Sequence, residues 1–266
     1  MIKRRVLAVL AIIAAGLSLS LFSVKAEASS YGKEFYRSLS KRLHYDRADY
    51  PELTDKEFAN FREVRVSGIG EGRLYRSSSP VSTWGNRNVI ADDAAKRAGV
   101  RTFVNLADNE SSVREQEGFA GSYYSTQRVI ALGLGMKYQS RQFRESLARG
   151  IKLMARSEPP YLIHCSLGKD RAGFVCALME CLMGAGLDEV VSDYLVSFRN
   201  YFGIMPGTQE YDFVAKNEIV NFLAQAFGVK SEQMSRINLA DGAERYFLVI
   251  GVSADEIAAL RDNLKP

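Results

Sequence analysis

The chain has 266 residues, enough for one substantial domain with an extension or for two small domains. Hydrophobic residues make up 47% and charged residues 25%, a balance that excludes a disordered or low-complexity chain. The formal net charge of +4 comes without a long basic run, so it fits an anionic substrate and leaves no footprint for nucleic acid.

The chain opens with Lys3, Arg4 and Arg5, followed by an apolar run over residues 6–22 and small residues at Ala26 and Ala28. A basic start, an apolar centre and an Ala-x-Ala end form the pattern of a secretory signal peptide, cut after Ala26 or Ala28. An uncleaved membrane anchor is the alternative. Either way the rest of the chain is expected to be exported, periplasmic or secreted. Residues 29–60 read as an irregular or partly helical lead-in. A strand is expected at residues 64–66 and another at 73–76. Residues 92–98 read as a short helix opened by acidic residues, with Gly99 where a C′ glycine belongs. Residues 101–106 and 128–132 read as strands. Phe143, Leu147, Ile151 and Met154 recur at helical spacing and predict an amphipathic helix over 142–156, ended by Pro159 and Pro160. Residues 161–164 form a short apolar strand. Residues 171–183 are helical in pattern and apolar on most sides, as a buried helix is. Further helices are expected over 187–198, 217–227 and 243–250. Ser253 with Glu256 forms a capping box before a last one. Strands alternating with helices predict an α/β fold with a central, largely parallel sheet flanked by helices and a helical C-terminal extension.

The two histidines, His44 and His164, leave little material for a His-rich metal site or a Ser-His hydrolase. The three cysteines, Cys165, Cys176 and Cys181, lack paired zinc spacing. Cys176 and Cys181 read as buried small apolar residues, which leaves Cys165 as a free thiol in an exported chain.

The chemistry concentrates in residues 164–173, HCSLGKDRAG, between an apolar strand and a buried helix. A loop that feeds a helix N-terminus presents consecutive backbone N–H groups to an anion, here from Ser166, Leu167, Gly168 and Lys169. Gly168 permits the tight turn. Arg171 offers a planar fork for two phosphate oxygens. A helix N-terminus also favours the thiolate of a cysteine placed there, so Cys165 is the candidate nucleophile, forming a cysteinyl-phosphate that water hydrolyses. A sulfurtransferase also places a Cys loop at a helix start, but a loop ending in Arg favours phosphate. No metal and no cofactor are needed.

Residues 164–173 resemble the signature loop of the protein tyrosine phosphatase superfamily. The GKDR version is similar to that of the bacterial secreted tyrosine/lipid phosphatases with a dual-specificity-like core. Residues 72–80, GRLYRSSSP, and 99–106, GVRTFVNL, are similar to two strands of that group. The resemblance implies a phosphatase core over residues 61–200, after a signal peptide over 1–28 and the lead-in over 29–60. A helical extension over 201–266 would pack on the core. It implies a tyrosine or dual-specificity protein phosphatase acting on phosphorylated protein. The alternatives are a phosphatase of phosphorylated lipid or inositol, or a phosphate-binding pseudophosphatase. It assigns His164 to bracing the loop.

Relatives commonly carry their general acid on a mobile loop before the signature loop. This chain has no Asp or Glu over residues 118–144. Relatives with a Lys-Asp-Arg loop imply Asp170 as the acid; orienting Arg171 is its other role. Asp108 is the second candidate, with a turn residue as the alternative. Lys169 reads either as a further phosphate contact or as a solvated charge. Arg73 and Arg76 read as pocket residues or as solvated charges at a strand end. Ala172 stands where relatives have a Ser or Thr hydroxyl that eases intermediate breakdown, and Ala107 where many have Arg.

Overall fold

The order of the strands places one element at the centre of everything that follows. In the computed structural model, which describes residues 30–266, the sheet runs β1 (Arg62–Glu63), β2 (Leu74–Ser77), β5 (Tyr161–His164), β3 (Thr102–Asn105), β4 (Arg128–Ala131). The signal-peptide expectation lies outside the described residues. Only β1 is antiparallel, pairing with β2; the other pairs are parallel. Central β5 is covered on both faces, and all four of its residues are buried, which is why it is a short unbroken apolar run. The register aligns Ser77, His164, Asn105 and Ala131 in one row at the C-terminal ends of the parallel strands.

The chain divides into two units between Leu43 and His44. In the first, α1 (Ser30–Arg42) is a full helix, where the sequence suggested an irregular or partly helical segment. Lys41 and Arg42 in its last turn complement the helix dipole. In the second, α2 (Asp55–Phe58), α3 (Asn88–Arg97), α4 (Glu110–Arg114), α5 (Arg141–Ala155) and α6 (Asp170–Leu182) alternate with the strands. Then follow α7 (Leu187–Phe202), α8 (Gln209–Ala215), α9 (Asn221–Phe227), α10 (Leu239–Val249) and α11 (Ala254–Leu264). Ala91, Ala94 and Ala95 of α3 pack with Phe103 and Leu162 of the sheet in one apolar cluster. The stripe Phe143, Leu147, Ile151 and Met154 is the buried face of α5. Helix α6 is buried from Ala172 to Leu182, under α7, α9 and α10, which explains its lack of a polar face. Among the described residues no helix is long and apolar enough to cross a membrane.

Several elements differ from the sequence expectation in extent, and for three of them the structure shows the reason. The first strand is Arg62–Glu63 rather than 64–66, because Gly68, at φ 84°, turns the chain out of the sheet soon after the Val64 N–H to Leu74 O bond. Helix α3 starts at Asn88, ahead of its acidic residues: the Asp92 carboxylate instead accepts from the Tyr123 and Tyr124 amides, each at 2.8 Å. The helix expected over 217–227 begins at Gln209, where Thr208 caps α8, and a π-helical turn, Lys216–Val220, joins α8 to α9.

Candidate active site

The loop after β5 is shaped by what its carbonyls touch. The Ser166 carbonyl accepts from the Ser79 amide at 3.1 Å. The Leu167 carbonyl accepts from Asn60 Nδ2 at 3.0 Å and from the Tyr201 hydroxyl at 2.7 Å. Arg76 Nη2 donates to the Gly168 carbonyl at 2.9 Å and to the Lys169 carbonyl at 3.2 Å. In a trans peptide the N–H points opposite to the preceding C=O. Four carbonyls tied to the protein therefore turn the amides of Leu167, Gly168, Lys169 and Asp170 to the other side. Among the described residues no protein acceptor meets those four amides. They open onto the N-terminus of α6, where the dipole favours an anion. Gly168 is required twice over: its φ is 69°, and a Cβ there would lie 2.1 Å from the Ser77 carbonyl oxygen.

Arg171, in the first turn of α6, leans over this cradle. Its Nη1 donates to the Leu134 carbonyl at 2.9 Å and the Leu106 carbonyl at 3.4 Å, and its Nη2 to Ser166 Oγ at 3.2 Å. Its Nε is buried and has no protein acceptor. A buried, charged donor without a partner is costly, and an anion in the cradle would satisfy it. Cys165 starts the loop as a free thiol, 3% exposed. Cys176 and Cys181 are free as well, and burial pushes both thiols up.

His164 lies beneath the loop, fully buried. Its Nε2 is 3.2 Å from the Tyr124 hydroxyl, which accepts from Asn105 Nδ2 at 3.2 Å. The phenol oxygen has one proton to give and a second lone pair to accept with, so this pair forms with either imidazole tautomer. Burial, aided by the Arg171 charge, pulls the His164 pKa down to about 3, so the ring is neutral at working pH. Asn105 extends the brace: its Oδ1 accepts from the Ala107 and Asp108 amides at 2.8 and 3.0 Å.

The two candidate acids sit differently. Both carboxylate oxygens of Asp108 accept hydrogen bonds, from Asn105 Nδ2 at 3.0 Å and Gln116 Nε2 at 2.9 Å. That arrangement suits a turn anchor. Asp170, partly exposed at the cradle, forms an ion pair with Lys169. The Lys169 ammonium is not a solvated charge: the residue is 5% exposed, and Nζ lies 4.4 Å from the Phe198 ring centroid. Burial opposes its charge, but Asp170 and then Glu218 outweigh that and raise its pKa. Lys169 thus offers the cradle its amide, while its side chain holds Asp170.

Arg76 is fully buried and ion-paired with Asp193 rather than solvated. His44 lies apart from the loop, 3.8 Å from Asp49. A cleft of about 520 Å³ between Arg73, Arg101 and Pro160 lies at the N-terminal ends of the strands, the wrong end for this site. Residues Asn60, Ser79, Tyr124 and Tyr201 take part in the site without a sequence signal of their own. For Ser79 the only hint was its place in the GRLYRSSSP segment.

The loop between the central strand and a buried helix is a candidate anion site. A profile of the tyrosine phosphatase family matches residues 51–265, and the chain belongs to that family. The triple specificity protein phosphatase PtpB of Mycobacterium tuberculosis is 31% identical over 240 residues, which span 80% of this chain and 78% of PtpB. Two solved structures are similar at lower levels. TpbA of P. aeruginosa, in complex with pTyr, is 18% identical with a TM-score of 0.38, over 64% of this chain and 96% of that one. The core catalytic domain of the PP-IP phosphatase SIW14 from S. cerevisiae, in complex with citrate, is 19% identical with a TM-score of 0.36, over 58% and 83%. The chain is a phosphatase, and its substrates are phosphorylated.

Proposed function

We propose that this phosphatase acts on phosphotyrosine or dual-specificity protein substrates outside the cytoplasm, through a phosphoryl group carried on Cys165. The observation that carries the reading is a set of donors without a protein acceptor among the described residues: four consecutive amides at the N-terminus of α6, and the Nε of Arg171 that follows them. Those donors hold the three non-bridging phosphate oxygens. The Cys165 thiolate attacks phosphorus, an S–P bond forms, and the P–O bond to the leaving group breaks. Asp170, protonated and parted from the Lys169 ammonium, gives its proton to the departing oxygen. Water then attacks phosphorus, returns a proton to the Asp170 carboxylate and expels the thiolate. His164 braces the loop in its neutral form. Arginine and amides neutralise the phosphate, so no step calls for a metal. The basic and apolar N-terminal segment supports export.

Phosphate release in EDTA tests this across an aryl phosphate, phosphotyrosine and phosphoserine peptides, phosphoinositides and inositol hexakisphosphate. Phosphotyrosine peptide and aryl phosphate are expected to lead. Lys169, a further phosphate contact in one of its two sequence readings, has its ammonium committed to Asp170. A ranking led by phosphoinositides or inositol hexakisphosphate would replace the protein-substrate reading.

Two substitutions probe the proton and the intermediate. Asp170→Asn is expected to slow alkyl esters about 10²-fold or more and aryl esters far less, because a phenolate leaves without full protonation. Equal losses on both would remove Asp170 from the acid role. Ala172 is fully buried at the start of α6 and offers the departing thiolate no hydroxyl. Ala172→Ser is expected to raise the steady-state rate severalfold and to shrink a pre-steady-state burst. An unchanged burst and rate would show that breakdown does not limit turnover.

A further inference from the structure

Three of the four outward carbonyls of the loop lead back to one carboxylate. Asp193 lies on α7, outside the loop segment, and is buried between two arginines. Its Oδ2 accepts from Arg76 Nη1 at 2.6 Å, and Nη2 of the same guanidinium holds the Gly168 and Lys169 carbonyls. Its Oδ1 accepts from Arg62 Nε at 2.8 Å. Arg62 Nη1 donates to Asn60 Oδ1 at 2.9 Å, and Asn60 Nδ2 holds the Leu167 carbonyl. Two hydrogen-bonded chains thus run from one side chain to consecutive peptide groups of the cradle.

We propose that Asp193 is a positioning residue for phosphate binding: through Arg76 and through Arg62–Asn60 it fixes three peptide planes, and so aims the amides of Gly168, Lys169 and Asp170 at the phosphate. This rests on the cysteinyl-phosphate reading of the loop. A fully buried guanidinium such as that of Arg76 is costly unless paired, and Asp193 supplies the pair. Burial works against the Asp193 charge, but Arg62 and Arg76 outweigh it and hold the carboxyl well below the usual range. The neighbouring Glu180 carboxyl is pushed well up by burial and by Asp193. Two guanidinium groups and the Asp193 carboxylate thus sit together behind the loop. The Arg76 guanidinium faces the loop carbonyls, on the side away from the cradle. The loop is held open for an anion before substrate arrives, which lowers the cost of binding.

The experiment is inhibition by orthovanadate, with active sites counted from the burst, in wild type, Asp193→Asn and Arg62→Lys, with Cys165→Ser as the control without release. Asp193→Asn is expected to weaken vanadate inhibition by about tenfold or more per active site, and Arg62→Lys by about threefold to fivefold. A purely structural role would lower the melting temperature and the count of active sites, and leave the inhibition constant of the surviving sites unchanged. Inhibition constants within about twofold of wild type in the folded variants would overturn the proposal. Should Asp193→Asn fail to fold, Arg62→Lys decides by the same reading. A wild type with no Cys165-dependent release and no vanadate inhibition would overturn the functional reading, and this inference with it. Normal wild-type inhibition with unchanged variants would sink the inference alone.

Discussion

Cys165→Ser is expected to lower phosphate release by at least about 10⁴-fold while leaving vanadate or phosphate binding in place. The side chain is 3% exposed at the floor of the loop, and serine has nearly the same shape, so the fold should tolerate the change. The alcohol is not ionised near neutral pH, and an alkoxide is a poor leaving group when water attacks the intermediate. The cradle itself does not depend on the sulfur. Its amides are aimed by Ser79, Asn60, Tyr201 and Arg76, and its arginine is seated on Leu134 and Leu106. Steady-state release together with calorimetric binding of inorganic phosphate separates the two properties. Release within tenfold of wild type would exclude Cys165 as nucleophile, and loss of both properties would point to collapse of the loop.

Gly168→Ala is expected to cost about 10²-fold or more in kcat/KM, and roughly 5 °C or more in melting temperature. Two penalties add. A positive φ costs an L-residue about 1–2 kcal/mol. The new Cβ would also lie 2.1 Å from the Ser77 oxygen and 2.8 Å from the Ser78 nitrogen, both backbone atoms of the adjoining strand end, so the loop must move instead. A displacement of about 1 Å at the reacting centre costs roughly 10²-fold in rate. Gly184 supplies the control. Its φ is 93°, but a Cβ there meets nothing within 4 Å, and it lies beyond the far end of α6. Gly184→Ala should lose stability and keep the specific activity of the folded enzyme. Matched activity losses in the two variants would refute the steric account of Gly168.

The centre of the sheet was easy to read in the sequence. Residues 161–164 form a short, largely apolar run preceded by two prolines, and that strand occupies its expected residues. The buried helix after the loop showed itself through apolar residues on every side. The edges were harder. At Val64 and Val66 branched side chains suggested a strand, yet the pairing residues are Arg62 and Glu63. Their register is set across the sheet and by the Arg62–Asp193 contact, which no local pattern reveals. Asp92 read as a helix opener because acids favour first turns; its tertiary task with two amides of the 3₁₀ turn at Tyr124–Thr126 is invisible locally. In the candidate site, the residues of the loop were legible because they are consecutive positions of one turn at a helix N-terminus. The residues that aim the loop were not. Asn60 and Tyr124 come from separate stretches of the chain and Asp193 and Tyr201 from α7, and all act through tertiary hydrogen bonds, so spacing carries no trace of them. Lys169 shows the converse: its position was legible, but its inward pairing with Asp170 depends on Phe198, supplied by a helix later in the chain.

Rapid acid quench of the wild-type enzyme with an aryl phosphate, followed by peptide mass spectrometry, tests the account most directly. Ala172 leaves the departing thiolate without a hydroxyl, so the phosphorylated enzyme should accumulate during turnover. The account predicts a burst of the aryl alcohol matching the active-site concentration and a phosphoryl group located on Cys165, with neither in Cys165→Ser. Continued phosphate release with no phosphoryl group on Cys165, at a rate that Cys165→Ser leaves unchanged, would contradict it.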